Sequence, residues 1–273
     1  MIADGSPLER VVVLGKGRLG TALTSALMAC EVAASARSGR QTLAEGLPAD
    51  DADAASVVIL AVADGAIQPL AESLARSLSF GARAIVLHCS GVLDVSALES
   101  LHRQGCAVGS FHPLQTFPDK TERPAAFRGV TFGIEGDLEA RAMARKLADR
   151  LEGFAVEIHP GTKALYHLAA VLAGNGAVGL IGAARDAMTA AGFERGQALA
   201  ALGPLVLTSI EGALSRGPEA ALSGPVSRGD DATLERHRAA LRQWDPERLP
   251  LYEALVREQE RLVASLRSTT GSC

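Results

Sequence analysis

The chain has 273 residues, 48% of them hydrophobic and 21% charged, which is enough to bury one large core or two modest ones and excludes disorder for the bulk of it. Lys plus Arg number 27 against 31 Asp plus Glu, a formal net charge of -4, so no global basic field exists to hold a nucleic acid backbone. Cys30, Cys89, Cys106 and Cys273 lie far apart with no CxxC pair, and Met1 to Arg10 has no apolar signal-peptide core; no disulfide framework and no metal site are expected, and a reducing cytoplasm is.

Val11 to Leu14 is a short β-branched run ending at Gly15, the pattern of a strand buried on both faces of a parallel sheet. Gly15-Lys16-Gly17-Arg18-Leu19-Gly20 follows at once and opens a helix from Leu19 to about Met28. Placed there, the first glycine permits a tight turn, the second lets the backbone approach a pyrophosphate and the third lets helix pack on strand. The plain alternative is a glycine turn without a ligand. A second strand, Glu31 to Ala36, should end beside an adenosine ribose, where an acidic residue would hold the 2'-hydroxyl of NAD. The chain instead has Arg37-Ser38-Gly39-Arg40, two guanidiniums and a hydroxyl suited to a 2'-phosphate, so NADP(H) is expected. A solvated turn with two surface arginines competes with that reading.

Apolar runs recur at Val57 to Val62 and Ala84 to Leu87, with helical spacing from Ile67 to Leu78 between them: βαβ units. Gln104 to Ser110 and Val130 to Ile134 add strands, Leu138 to Leu151 a helix, and Ala155 to Ile158 a last strand, with the sheet ending near His159. Ligands gather at the carboxyl ends of such strands. Three segments sit there. Ala63-Asp64-Gly65 would bring Ala63 to the cofactor while Asp64 caps the next helix. In His88-Cys89-Ser90-Gly91, Ser90 would face a nicotinamide or a carboxylate and Cys89 would pack. In Ser110 to Thr116, Pro113 would fix the turn that aims His112.

From Gly161 the composition shifts to Ala, Leu and Gly, which divides the chain into domains 1–159 and 160–273, the second all-helical. Ala164 to Ala191 reads as one helix, followed by Gln197 to Leu214, Ala232 to Leu241 and Leu251 to Leu266, with a frayed tail from Ser268 to Cys273. Leu168 to Ala184 carries a single polar residue, Asn175. Its Ala and Gly content, inside an alternating chain, points to a central helix wrapped by others rather than a membrane span. His167, Val171 and Asn175 fall along one stripe, with ~12 Å from first to last, and a buried amide there would need partners. Arg228, in Leu222 to Asp230, is placed to grip a carboxylate, with surface pairing to Asp230 the alternative; Asp230 or Asp231 should cap the helix near Ala232.

The HCSG turn, SFHPLQTF, YHLAAVLAGN and LSGPVSRGD together resemble Rossmann-like proteins with a DUF2520 carboxy-terminal domain, related to ketopantoate reductase and to the 6-phosphogluconate/3-hydroxyisobutyrate dehydrogenase group. The resemblance implies an α/β Rossmann dinucleotide-binding domain followed by an all-α 6-phosphogluconate-dehydrogenase-like domain, and a homodimer. In ketopantoate reductases a lysine and two asparagines recur at four-residue steps on the first long helix of the second domain. Here those steps fall on His167, Val171 and Asn175.

The expected activity is NADP(H)-dependent reduction of a small 2-oxo acid, ketopantoate to pantoate as first choice. His167 or His112 would supply the proton, Ser90 and Asn175 would orient the carbonyl, and Arg228 would hold the carboxylate. Cofactor contacts are expected from Gly15, Lys16, Gly17, Arg18, Leu19, Gly20, Arg37, Ser38, Arg40, Ala63 and Ser90. The alternatives are an imine reductase of the pyrroline-5-carboxylate type and a non-catalytic NADP-binding regulator. The replaced lysine is the case for the regulator.

Overall fold

The computed structural model describes residues 10–48, 50–51, 55–77, 84–120 and 124–270; the amino-terminal segment before Arg10 and the end of the expected tail, including Cys273, lie outside it. The order is β1 (Val11–Leu14), α1 (Arg18–Ala29), β2 (Ala34–Arg37), α2 (Gly39–Glu45), β3 (Val57–Leu60), α3 (Asp64–Ser77), β4 (Ile85–His88), α4 (Glu99–His102), β5 (Ala107–Pro113), β6 (Thr131–Gly136), α5 (Leu138–Arg150) and β7 (Phe154–Glu157). Among the described residues these strands form one sheet, ordered β2-β1-β3-β4-β5-β6-β7. All neighbours are parallel except β5 and β6. The order reverses between β1 and β3, which opens a crevice at their carboxyl ends.

Alternate residues of one strand feed opposite faces. Val11 and Val13 pack with Leu23, Leu27 and α5 residues such as Ala144 and Leu147 on one side. Val12 and Leu14 pack with Ile67, Leu70 and Leu74 of α3 on the other. Covering both faces is what makes these strands continuous apolar runs rather than alternating ones.

Two strands differ from the sequence expectation. β2 begins at Ala34 rather than Glu31, because the end of α1 turns through Glu31 at φ 59 while the Val32 amide still donates to Leu27 O at 3.0 Å. β5 continues to Pro113 rather than stopping at Ser110, because antiparallel β6 pairs with it as far as Pro113↔Phe132. His112 therefore stands on a strand and not in a turn aimed by Pro113.

The rest is helical: α6 (Lys163–Val171), a π turn (Leu172–Gly176), α7 (Ala177–Ala190), α8 (Arg195–Arg216), α9 (Pro218–Ala221), α10 (Pro225–Arg228), α11 (Asp231–Trp244) and α12 (Leu249–Thr270). Contacts divide the chain into compact units Met1–Gly176 and Ala177–Cys273. This division comes after the expected 159/160 boundary, since α6 docks on the β5–β6 ribbon and goes with the sheet. In the second unit Asp186 pairs with Arg185 and Arg248, Arg238 pairs with Glu253, and Asp230 caps α11 by accepting from the Thr233 amide.

Within a single chain the long apolar helix is largely uncovered past Lys163. No residue of α7 is buried, and in α8 only Ala198 and Gly212 are. Small side chains leave little to bury, and the larger ones, Val178, Leu205, Leu207 and Leu214, face outward. The stretches Lys163–Ala190 and Arg195–Arg216 are long and apolar enough to cross a membrane, each with mean hydropathy 1.5.

Candidate active site

The three glycines after β1 are held by different constraints. A Cβ on Gly15, at φ +143, would lie 2.1 Å from Ala61 O, and one on Gly20 would lie 2.0 Å from Gly15 O. Both are needed for the close approach of turn, α1 and β3. Gly17 has open space where its Cβ would be, so packing does not account for it. It is the N-cap of α1 and has no side chain to cap the first-turn amides, which leaves the helix terminus able to receive an anion. Lys16 and Arg18 are exposed beside it, Leu19 packs partly on the core, and Arg18 Nη1 donates to Pro118 O at 3.3 Å. Ala63, past β3, is exposed; Asp64 stands in the first turn of α3.

At the end of β2 the expected trio is partly engaged within the protein. Arg37 Nε donates to Asp51 Oδ2 at 2.5 Å, and Arg10 reaches the other oxygen of the same buried carboxylate at 2.7 Å. Asp51 holds the Arg37 guanidinium above the ordinary arginine range. Ser38 caps α2 by accepting from the Gln41 amide. Arg40 is exposed and makes no hydrogen bond or ion pair among the described residues.

The second focus lies on the β5–β6 ribbon. Directly opposed residues of an antiparallel pair share a face. Ser110 faces Glu135, and His112 faces Gly133. α6 crosses both pairs: Tyr166 Oη is 2.9 Å from His112 Nδ1, and Lys163 Nζ lies on Ser110 Oγ and 3.1 Å from Glu135 Oε1. The His112 and His167 ring centroids are 6.2 Å apart, edge to face. Gly91 closes the group from the turn after β4, where a Cβ would meet His167 Cδ2 at 2.6 Å and His112 Nε2 at 2.7 Å. A cleft of about 550 Å³ opens here, lined by both imidazoles, Tyr166, Leu114 to Thr116, and the helix as far as Asn175.

Burial, with Lys163 and His167 adding to it, pushes His112 down to about 4, so its imidazole is neutral near pH 7. Burial pushes the Tyr166 phenol up to about 12 and keeps it protonated. His167 makes no hydrogen bond among the described residues and remains available. Burial drives Cys89 up to about 12, in keeping with a packed and unreactive thiol.

The remaining expected residues divide. Ser90 is buried and its hydroxyl accepts from the Val92 and Leu93 amides, so it builds the turn that presents Gly91. Asn175 lines the cleft but is exposed within a π turn, so the expectation of a buried amide in need of partners is corrected. The π turn begins after Val171, and His167, Val171 and Asn175 still line the one cleft. Arg228 is exposed in the last turn of α10, in the second unit.

Residues 6–113 match the model of the Rossmann-like domain, and residues 130–259 match that of the domain of unknown function DUF2520. The chain is a Rossmann-like protein with a DUF2520 domain. No curated protein matches it in sequence. A Bacteroides fragilis protein provisionally assigned as an NADP oxidoreductase superposes with TM-score 0.72 at 22% identity, over 93% of this chain and 98% of its own. A Streptomyces aurantiacus imine reductase gives 0.61 at 18% identity over 94% and 99%. Plasmodium falciparum pyrroline carboxylate reductase with NADP bound gives 0.59 at 11% identity over 95% and 100%. At these identities the likeness is one of fold.

Within this DUF2520 protein the sequence reading missed Lys163 and Glu135 as members of the site, and it singled out Tyr166 beside His167 and Asn175 without giving it a role. The signal was available in part: Ser110 and His112 alternate on one strand, Gly133 and Glu135 on the next, so polar residues recur on one face of an otherwise apolar ribbon. Their registration across the turn, and the helix that covers them, were not readable from spacing.

Proposed function

We propose that the chain is an NADP(H)-dependent reductase of a small carbonyl or imine compound. The observation that carries this reading is the convergence of His112 and His167 on Gly91, with Tyr166 on the other side of His112, at the carboxyl end of the sheet that carries the glycine turn. When bound, NADPH supplies the hydride. The α1 amino terminus after Gly17 would take its pyrophosphate, and Arg40, with Lys16 and Arg18 nearby in sequence, would take the remaining phosphate charge. The structural neighbours support the cofactor, since their own names include NADP oxidoreductase and reductase with NADP bound.

The proton comes from His167, the imidazole with no competing hydrogen bond. Neutral His112, braced by Tyr166, donates a hydrogen bond that orients the acceptor oxygen or nitrogen. A small 2-oxo acid, with ketopantoate first, remains the proposed substrate class; Arg228 is proposed to meet its carboxylate and Asn175 to line its cleft. Cyclic imines form the second class, favoured by the imine and pyrroline carboxylate reductases among the neighbours.

The exposed apolar sides of α7 and α8 are proposed to be covered by a second copy and not by a bilayer. The ion-paired Arg185 and Asp186 within α7 would be costly in hydrocarbon. A cytoplasmic homodimer is the reading that follows.

The test mixes purified protein with NADPH and a panel of 2-oxo acids, ketopantoate included, and five- and six-membered cyclic imines, following absorbance at the nicotinamide band. Turnover that falls at least tenfold in His167→Asn supports the reading. NADPH binding by calorimetry without turnover on any compound would favour a regulator. Absence of NADPH binding overturns both.

A further inference from the structure

Lys163 is an ammonium with 3% of its side chain exposed, held by Ser110 and the nearly buried Glu135. Nothing in the proposed chemistry uses it directly. Its geometry nevertheless repeats that of Tyr166. Lys163 sits on the first cross-strand pair, Ser110 and Glu135, and Tyr166, three residues on, sits on the second, His112 and Gly133. Three helical residues advance about 4.5 Å, and two strand residues about 6.6 Å. The two long side chains span the difference and fasten α6 to the ribbon at two points.

The second point fixes a tautomer. Burial keeps the Tyr166 phenol protonated, and a phenol gives its proton to an imidazole nitrogen more readily than it accepts one. The phenol proton is then free to be donated to His112 Nδ1, and the imidazole keeps its own proton on Nε2, beside Gly91 and His167. A second proton on His112 would break the bond from Tyr166 and add a charge next to a buried ammonium.

We infer that Lys163 is a positioning residue: by seating on Ser110 and Glu135 it holds Tyr166 against His112 and keeps that imidazole as the uncharged Nε2–H donor of the cleft. The groups facing His112 are Lys163, Tyr166 and His167 from α6, Asp64 from α3 and His88 from β4. Lys163, His167 and His88 oppose a charge there and Asp64 favours one. Glu135 acts on Lys163. The catalytic meaning of this arrangement rests on the reductase reading, but the tautomer itself does not.

The experiment therefore reads the ring directly. Full-length protein labelled with 15N-histidine is titrated from pH 8 to pH 4.5 by long-range 1H–15N spectroscopy, with His112 assigned through His112→Gln. The native His112 signals are expected to be those of the Nε2–H tautomer and to stay uncharged through pH 5. In Lys163→Met the protonation midpoint should rise by about one pH unit or more and the two tautomers should mix. Lys163→Met strands the Glu135 carboxylate, so the double variant Lys163→Met/Glu135→Gln, which leaves no lone buried charge, is measured alongside and should show the same change. An Nδ1–H tautomer in the native protein, or His112 signals unmoved in the folded double variant, overturns the inference. If these signals behave as expected and no substrate is turned over, the reductase reading alone has failed.

Discussion

Gly133 and Tyr166 are fitted to each other: a Cβ on Gly133 would stand 2.6 Å from the Tyr166 hydroxyl oxygen. The glycine is there to make room for the phenol that braces His112. Gly133→Ala should force Tyr166 off His112, destabilise the fold by about 1–3 kcal/mol through overpacking, and reduce turnover about 10²-fold. Urea denaturation and steady-state rates check the two effects separately. Native turnover in the alanine variant would show that the phenol–imidazole bond has no part in the chemistry.

The glycine turn predicts a split between folding and binding. Gly15→Ala and Gly20→Ala put a methyl into backbone and should each destabilise the protein by about 1–3 kcal/mol, the first with added strain from its positive φ. Gly17→Ala meets nothing and should stay within about 1 kcal/mol of the native stability, yet weaken NADPH binding about tenfold or more, because the methyl enters the space the pyrophosphate needs. Thermal melts set beside calorimetry distinguish the pairs. Equal NADPH affinity in Gly17→Ala would remove the phosphate from that turn.

Arg40 and Arg37 should behave differently although both lie in the same short turn. Arg40 has no partner among the described residues, so Arg40→Ala should lower NADPH affinity about tenfold with NADH affinity unchanged. Arg37 is drawn onto buried Asp51, and Arg37→Ala should mainly reduce stability. Calorimetry with both nucleotides settles which guanidinium reads the 2'-phosphate.

How far the sequence carried this reading depends on the range of each interaction. The strand-turn-helix of Val11 to Gly20 is local, and its buried run, glycine spacing and helix start were all legible. His112 was legible as a chemistry-bearing residue close to the carboxyl end of a strand, and His167 as one on the long helix that follows the sheet. Lys163 was not, because its role requires Ser110 to face Glu135 across an antiparallel pairing that spacing alone does not register. The same gap misplaced His112 in a turn, since β6 extends β5 past Ser110. Ser90 and Ser38 were chosen for their hydroxyls, whose oxygens in the structure accept from neighbouring backbone amides, a local role that spacing did not show.

Two neutral imidazoles make stability depend on pH. His88 is fully buried, accepts from the Ser90 amide at Nδ1 and faces Asp94 O through Nε2; burial and then Lys163 push it down to about 3. His112 is pushed down to about 4, chiefly by burial. Both folded values lie below the unfolded value of ~6.5, so the unfolded chain binds more protons in acid. Stability is therefore fully present above about pH 6.5. It falls as pH drops, by up to about 1.4 kcal/mol per pH unit for each ring, toward pH 4 for His112 and pH 3 for His88. Urea midpoints at pH 7, 6 and 5 should decline in that order, and His112→Gln should flatten the decline. A flat profile would mean that the rings are charged or exposed in the folded state.

The helices of the second unit give the last prediction. Leu205, Leu207 and Leu214 of α8 are 65%, 69% and 84% exposed, far more apolar surface on one helix than a stable monomer usually leaves to water. A partner that buries these side chains would gain ~1.5–3 kcal/mol from each, enough for several to hold a dimer against the loss of rotational and translational freedom. Light scattering behind size exclusion at micromolar concentration should give twice 28.2 kDa. Leu207→Arg/Leu214→Arg should return the mass to a single chain while leaving the helical circular dichroism in place. A monomeric native protein would leave the apolar helices without the proposed cover, and partition of the native chain into detergent or vesicles would assign them to a lipid surface instead.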